Sequence, residues 1–391
     1  MSVSDAAVDA PAPVASPPVA SPSRHDAAIS QGVGVVALLI AGLQPVILGA
    51  MEREGRLTTA QIGLAATVEL MALGVACGLA AALLKPTNIR LKIAITCLLH
   101  AGAMLATTLT SGVGVILTRA LAGACAGVML WLAIGVIARA SKPERASGVF
   151  VTLQTFAQLV LAASLPATVM IPWGVNGALV CLAGISVLAG LAALAGPDRL
   201  AVLPKSDEGG TLDVRSIGGL AAVFLWMAFI VALWVYLEPL AARAGLTPRE
   251  AGLAVALALG LQVLGGVAAT AVGDRVSPSN VLLGVGVINA VILATLWSGP
   301  GRSVFVACVA AFGFLWLFAL PFQTLLLIRI DPTRRASMQL GAAQLLGSSA
   351  GPLAASLVVG EGPVRRALIL SGACLALALG LISLLRPKSP A

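Results

Sequence analysis

The chain has 391 residues, of which 59% are apolar and only 10% charged, with a mean hydropathy of +1.01. A water-soluble domain of this size cannot cover its surface with so few charges, so the composition points to hydrocarbon as the solvent. A net charge of +8 does not make it a nucleic-acid protein, because the basic residues are scattered over many short segments with no basic patch or reading module.

Residues 1–28 are mainly Ala, Pro, Ser and Val without a long apolar run. They read as a disordered cytoplasmic tail rather than a cleaved signal peptide. Apolar runs follow at 30–51, 60–84, 91–111, 113–138, 147–171 and 176–196, then at 216–237, 249–273, 279–299, 303–330, 337–360 and 366–385. Each is of the order of the roughly 20 residues that a spanning helix needs. The long break at 197–215 holds Asp198, Lys205, Asp207, Glu208 and the pair Gly209 and Gly210, the mark of a solvated linker. The predicted fold is therefore an all-α membrane protein of twelve transmembrane helices in two six-helix bundles, 29–196 and 216–386, with a tail at 387–391.

Lysine and arginine set the orientation. With the N-terminus inside, 16 of them fall on the inner side and 7 on the outer, with Arg119 left within a span; all five lysines are inside. The positive-inside rule then places both termini in the cytoplasm, in a plasma (inner) membrane.

The two halves resemble each other. Leu57 to Ala65 read LTTAQIGLA and Leu246 to Ala254 read LTPREAGLA. Lys142 to Ser147 read KPERAS, matched by DPTRRAS from Asp331 to Ser337. Span 5 carries Ala157-Gln158-Leu159 with Pro166, and span 11 carries Ala343-Gln344-Leu345 with Pro352. The offsets lie between 186 and 190 residues, in one order, as expected of a duplicated transporter.

With Asp274-Arg275 after Gly273 in the loop between spans 8 and 9, and Arg119-Ala-Leu-Ala-Gly123 in span 4, the chain resembles the major facilitator superfamily over about residues 30–385. The loop between spans 2 and 3 departs from the family pattern, keeping Lys85, Arg90 and Lys92 but no preceding Asp. The resemblance implies alternating access by two bundles, spans 1, 4, 7 and 10 lining a central cavity, and a gating role for Asp274, Arg275 and Arg90. Drug-exporting members often carry a Gly-rich Gly-Pro motif in span 5; here that span has no glycine between Gln154 and Pro166, and the pattern sits in span 11 as Gly347-Ser-Ser-Ala-Gly351-Pro352.

Ionisable groups deep in a bilayer are functional candidates, since burying them is costly. Glu69 in span 2 and Arg119 in span 4 lie at similar depths and can pair. Burial favours the neutral acid and a nearby arginine the carboxylate, an opposition that poises Glu69 to exchange a proton. The plainer reading is a static bridge pinning two helices. Arg119 is alternatively an anchor for an anionic solute. His100, in a span expected to be peripheral, reads as a neutral histidine bonded to a helix carbonyl.

Gln44, followed by Pro45, marks a polar bend in span 1. Gln158, Gln344 and Gln323 are further polar candidates for solute contact, although the first two occupy equivalent repeat positions and suit shared helix geometry equally well. Of 16 aromatic residues, 11 lie in spans 7 and 10. Trp226 and Phe229 in span 7, with Trp316 and Phe318 in span 10, are candidates for an aromatic wall. The rows Phe312–Trp316 and Phe314–Phe318–Phe322 point to different faces, so at most one lines a cavity.

No CxxC pair, HExxH, phosphate loop or nucleophile elbow is present, so the chain reads as a non-enzyme without metal or other cofactor. The expected function is secondary active transport of a small organic solute, coupled to protons, by a monomer in the lipid bilayer. The solute has an apolar or aromatic body, and Arg119 is its partner if it is anionic. Proton-driven efflux of lipophilic compounds is the alternative, and a non-transporting membrane sensor a remote one.

Overall fold

The computed structural model describes residues 22–201, 212–331 and 335–386, with only the backbone for Pro143, Glu144, Asp274 and Met338. In chain order its helices are α1 (Arg24–Arg53), α2 (Thr59–Leu83), α3 (Ile89–Thr108), α4 (Val113–Ile137), α5 (Pro143–Ser164), α6 (Met170–Ala193), α7 (Val214–Val235), α8 (Leu237–Arg243), α9 (Pro248–Val272), α10 (Pro278–Trp297), α11 (Arg302–Ile330), α12 (Arg335–Met338), α13 (Leu340–Val359) and α14 (Arg366–Leu384). Twelve of the described helices, all but the short α8 and α12, are long and apolar enough to cross a membrane. Leucine, isoleucine and valine stand exposed along their outer faces, as hydrocarbon requires.

Three departures from the sequence reading have local causes. The first helix begins at Arg24 rather than near residue 29, because the Ser23 hydroxyl caps it by accepting from the Asp26 N–H. The fifth span stops at Ser164, ahead of Pro166, not at 171. The sixth begins earlier, at Met170, and kinks at Gly174, whose φ of +55° is open to glycine at little cost. Residues 1–21, most of the linker (202–211), and 387–391 lie outside the described residues.

An even number of crossings puts the start of α1 and the end of α14 at one face, here the terminal face. At that face Arg90 Nε donates to the Gly196 carbonyl (2.6 Å), and Ile89 N–H to Asp198 O (3.0 Å). The opposite, far face is knitted together by the run Glu52-Arg53-Glu54-Gly55-Arg56. Glu52 accepts from Thr59 (2.8 Å) and Glu54 from the Val175 N–H (2.7 Å). Arg56 donates to the Thr110 carbonyl and to Asn176 (2.7 Å each).

The sequence repeat has a structural meaning. In each copy of LTxxxxGLA a threonine opens the helix with a reciprocal capping box, Thr58 with Gln61 and Thr247 with Glu250. The glycine five residues after each threonine then meets the other half. A Cβ on Gly63 would strike the Pro352 carbonyl of α13, and one on Gly252 would strike Pro166 and the Ala162 carbonyl at the end of α5. These two lines, α2 with α13 and α5 with α9, are the most extensive contacts between the halves.

Candidate functional site

The helix pair α2–α4 is held unusually close by two glycines of α4. Gly123 lies against the Glu69 carbonyl and Gly127 against that of Leu73, so neither tolerates a side chain without a shift. This close approach brings Arg119, one turn before Gly123, onto Glu69. Arg119 Nη2 donates to Glu69 Oε1, and both side chains are fully buried. Arg119 Nη1 reaches the Met104 sulfur of α3 at 3.0 Å. The Gln44 amide of α1 lies beside the Glu69 carboxylate, and Glu69 Oε2 is otherwise buried without a partner. Four helices thus converge on one charge pair whose polar complement is incomplete.

His100 differs from its expected partner. Its Nδ1 lies 2.8 Å from Ser186 Oγ rather than on a helix carbonyl. Ser186 donates its own proton to the Leu182 carbonyl (2.9 Å), so His100 Nδ1 carries the hydrogen.

The other half builds the same geometry without charge. Gly313 lies against the Ala258 carbonyl as Gly123 does against that of Glu69. One turn before Gly313, the position matching Arg119 is Val309, and both Val309 and Ala258 are buried. The aromatic residues concentrate there instead. Trp226 and Phe229 meet edge to face, as do Phe229 and Phe312, and all three are fully buried inside the second half. Trp316 is partly exposed and meets Trp234 edge to face at 5.4 Å. Trp234 donates its indole N–H to the Ala41 carbonyl of α1 (3.1 Å), so Trp316, at the outer end of the Phe312–Trp316 row, lies near the junction of the halves. Phe318 stacks on Phe314 at 5.7 Å, along α11 itself.

The remaining candidates separate into helix ties and loop residues. Gln158 donates to the Leu38 carbonyl (2.7 Å), tying α5 to α1. Its repeat partner Gln344 donates instead to Gln323 (3.1 Å), leaving the Gln323 amide nitrogen buried and unpaired. Arg90 serves its own half, as described above, and Arg275 is exposed in a short 3-10 turn. The Asp274 side chain lies outside the described residues.

Sequence reasoning missed the residues that join the halves. Arg53 donates to Glu238 of α8, a carboxylate only 4% exposed. Burial pushes the Glu238 carboxyl above the usual carboxylate range, Arg53 pulls against this, and neighbouring Glu52 adds to the rise. Thr67 donates across to the Ser349 carbonyl (3.0 Å). These links and Trp234–Ala41 lie at or beyond the middle of the helices, toward the far face. Glu238 stands one residue after the apolar run 216–237, and nothing in the sequence distinguishes it.

Toward the terminal face α5 and α9 part. They touch at Gly252–Pro166 and again at Gly260–Leu159, then diverge around a cleft of about 390 Å³ that reaches α11. The α2–α13 line stays closed farther down, with Gly74 against Leu345.

Two pseudo-equivalent six-helix bundles, in contact along α2–α13 and parted along α5–α9 toward the terminal face, have the build of a membrane carrier. The sequence profile of the Major Facilitator Superfamily matches residues 32–356, and the chain belongs to that family. Its fold is similar to that of a nucleoside transporter, NupG, at a TM-score of 0.77 and 13% identity, covering 92% of this chain and 100% of that one. It is also similar to a bacterial homolog of the human lysosomal transporter Spinster in an inward-facing, unoccupied conformation, at a TM-score of 0.63 and 14% identity, covering 92% and 95%. No curated protein sequence matches. At these identities the likeness is one of fold.

Proposed function

We propose that the chain is a proton-coupled secondary transporter that moves a small organic solute with an apolar body by alternating access. It acts as a monomer in the plasma (inner) membrane with the terminal face in the cytoplasm. The observation that carries this reading is the place of Glu69. It sits on α2, with Arg119 on one side and, two residues earlier, Thr67 bonded across to α13. A proton on Glu69 cancels its attraction to Arg119 and loosens α2 on the helix that closes the halves. While Glu69 holds Arg119, the guanidinium is not free for a solute carboxylate, so an anion could enter only after protonation. Charge balance thus favours proton coupling over a standing anion site.

The test uses proteoliposomes loaded with a pH-sensitive dye and a panel holding a nucleoside (suggested by the fold neighbour), lipophilic amines and aromatic carboxylates. A solute gradient should drive a proton flux with wild type and none with Glu69→Gln. Solute-driven flux that persists in Glu69→Gln would refute the assignment. A second reading, export of lipophilic compounds, is favoured by the open α5–α9 cleft. It predicts accumulation in everted vesicles rather than in right-side-out ones.

A further inference from the structure

The cleft between α5, α9 and α11 has a one-sided chemistry. Its wall is apolar apart from hydroxyl groups, and no charged side chain is among its described residues. Arg145, two residues before Ser147 of the wall, turns instead to a separate depression with Lys142 and Gln31. The threonine hydroxyls have already spent their protons on their own helices. Thr152 donates to Gly148 O (2.8 Å), Thr155 to Val151 O (2.9 Å) and Thr270 to Val267 O (2.7 Å). What each oxygen retains is the capacity to accept. On the α11 wall Pro321 has no N–H, so the Leu317 carbonyl loses its helical donor and is a further acceptor.

We infer that this cleft is an entry site for a lipophilic solute that donates hydrogen bonds, such as a primary amine or an alcohol on a compact apolar body, and that it rejects carboxylates. An apolar wall holds the body by excluding water from it. The threonine and Leu317 acceptors favour N–H or O–H groups, whereas a carboxylate would meet mostly oxygen lone pairs, with the Ser147 hydroxyl alone to donate among the wall's side chains and no cation to offset its lost hydration. Because the cleft opens on the α5–α9 line while α2–α13 remains in contact, solute enters from one side of the molecule. The place of the site in transport rests on the reading above; the binding does not.

The experiment uses three probes with one apolar cage, 1-aminoadamantane, 1-adamantanol and 1-adamantanecarboxylate, against the full chain in lipid nanodiscs. Radiolabelled amine is displaced by each. Amine and alcohol should compete saturably, with the carboxylate at least about tenfold weaker. Replacing two acceptors together, Thr152→Val with Thr155→Val, should weaken the amine by about thirtyfold, the loss expected for two ordinary hydrogen bonds. Val267→Trp, which fills the cleft, should abolish binding, and Leu257→Trp on the exposed surface of α9 should not. Unfolding midpoints establish that each variant is folded. Carboxylate binding as tight as the amine, or amine binding indifferent to Val267→Trp, overturns the inference. Proton flux without cleft binding would leave the transport reading standing alone. Cleft binding with no solute-driven proton flux would leave the site standing and remove the coupling.

Discussion

Glu69 and Ala258 occupy the same place in the two halves of the protein. Each offers its main-chain carbonyl to a glycine of the helix beside it, Gly123 for the first and Gly313 for the second. One half has put a buried charge pair where the other keeps alanine and valine. The two halves therefore share the frame, and the charge pair belongs to the first half alone.

The frame itself depends on the glycines. Gly123→Ala should destabilise the protein by about 1–3 kcal/mol, because the Glu69 carbonyl is rigid backbone and cannot yield as a side chain would. Gly184→Ala, with nothing nearby, should be close to neutral. Thermal unfolding in detergent compares the two. Equal effects would mean that the α2–α4 approach is not tight.

The charge pair should show strong coupling. Glu69→Leu strands a buried guanidinium and Arg119→Met strands a buried carboxylate, each costing about 3–5 kcal/mol. The double variant should recover much of that loss, as the uncharged second half implies. Additive losses in a double-mutant cycle would show that the two groups do not interact.

At the far face, Glu238 predicts a pH dependence whose sign follows from its raised pKa. In the closed form its carboxyl binds a proton more readily than an exposed carboxylate does. The closed form is thus favoured below the ordinary carboxylate value, and that advantage is lost as pH rises through the raised value. The charged groups that act on it are Arg53 and Glu52 of the α1 end, while the start of α9 brings Pro248 and Ala251 beside it. Val46→Cys, in a chain whose own cysteines are replaced, reports opening to a membrane-impermeant thiol reagent added from outside. Labelling should slow as external pH falls from about 7 to about 5, and Glu238→Gln should stay slow at both values. Faster labelling in acid would contradict the sign.

Much of the architecture was legible because hydrocarbon imposes a simple pattern. Twelve apolar runs, a polar break and a repeat define twelve helices in two bundles without any side-chain contact being known. Span ends were less legible at 164–175, where Pro166 and the positive φ of Gly174 redistribute residues between α5 and α6. Glu69 and Arg119 were legible because so few charges lie within spans. Their neighbours were not: Met104 is an ordinary apolar residue in sequence, and Gln44 was marked only by the following proline. Arg53–Glu238 was invisible because a pair separated by 185 positions has no local signature. The aromatic residues were found but could not be divided by sequence into Trp316, near the junction, and Phe229, sealed inside one half.

The most direct test of the central claim separates coupling from movement. Proteoliposomes holding wild type or Glu69→Gln, with a solute found by the dye assay, are assayed for proton-driven accumulation and for solute counterflow without a proton gradient. Proton coupling at Glu69 predicts that Glu69→Gln loses accumulation and keeps counterflow. Accumulation driven by a proton gradient in Glu69→Gln, at a rate near that of wild type, would contradict it.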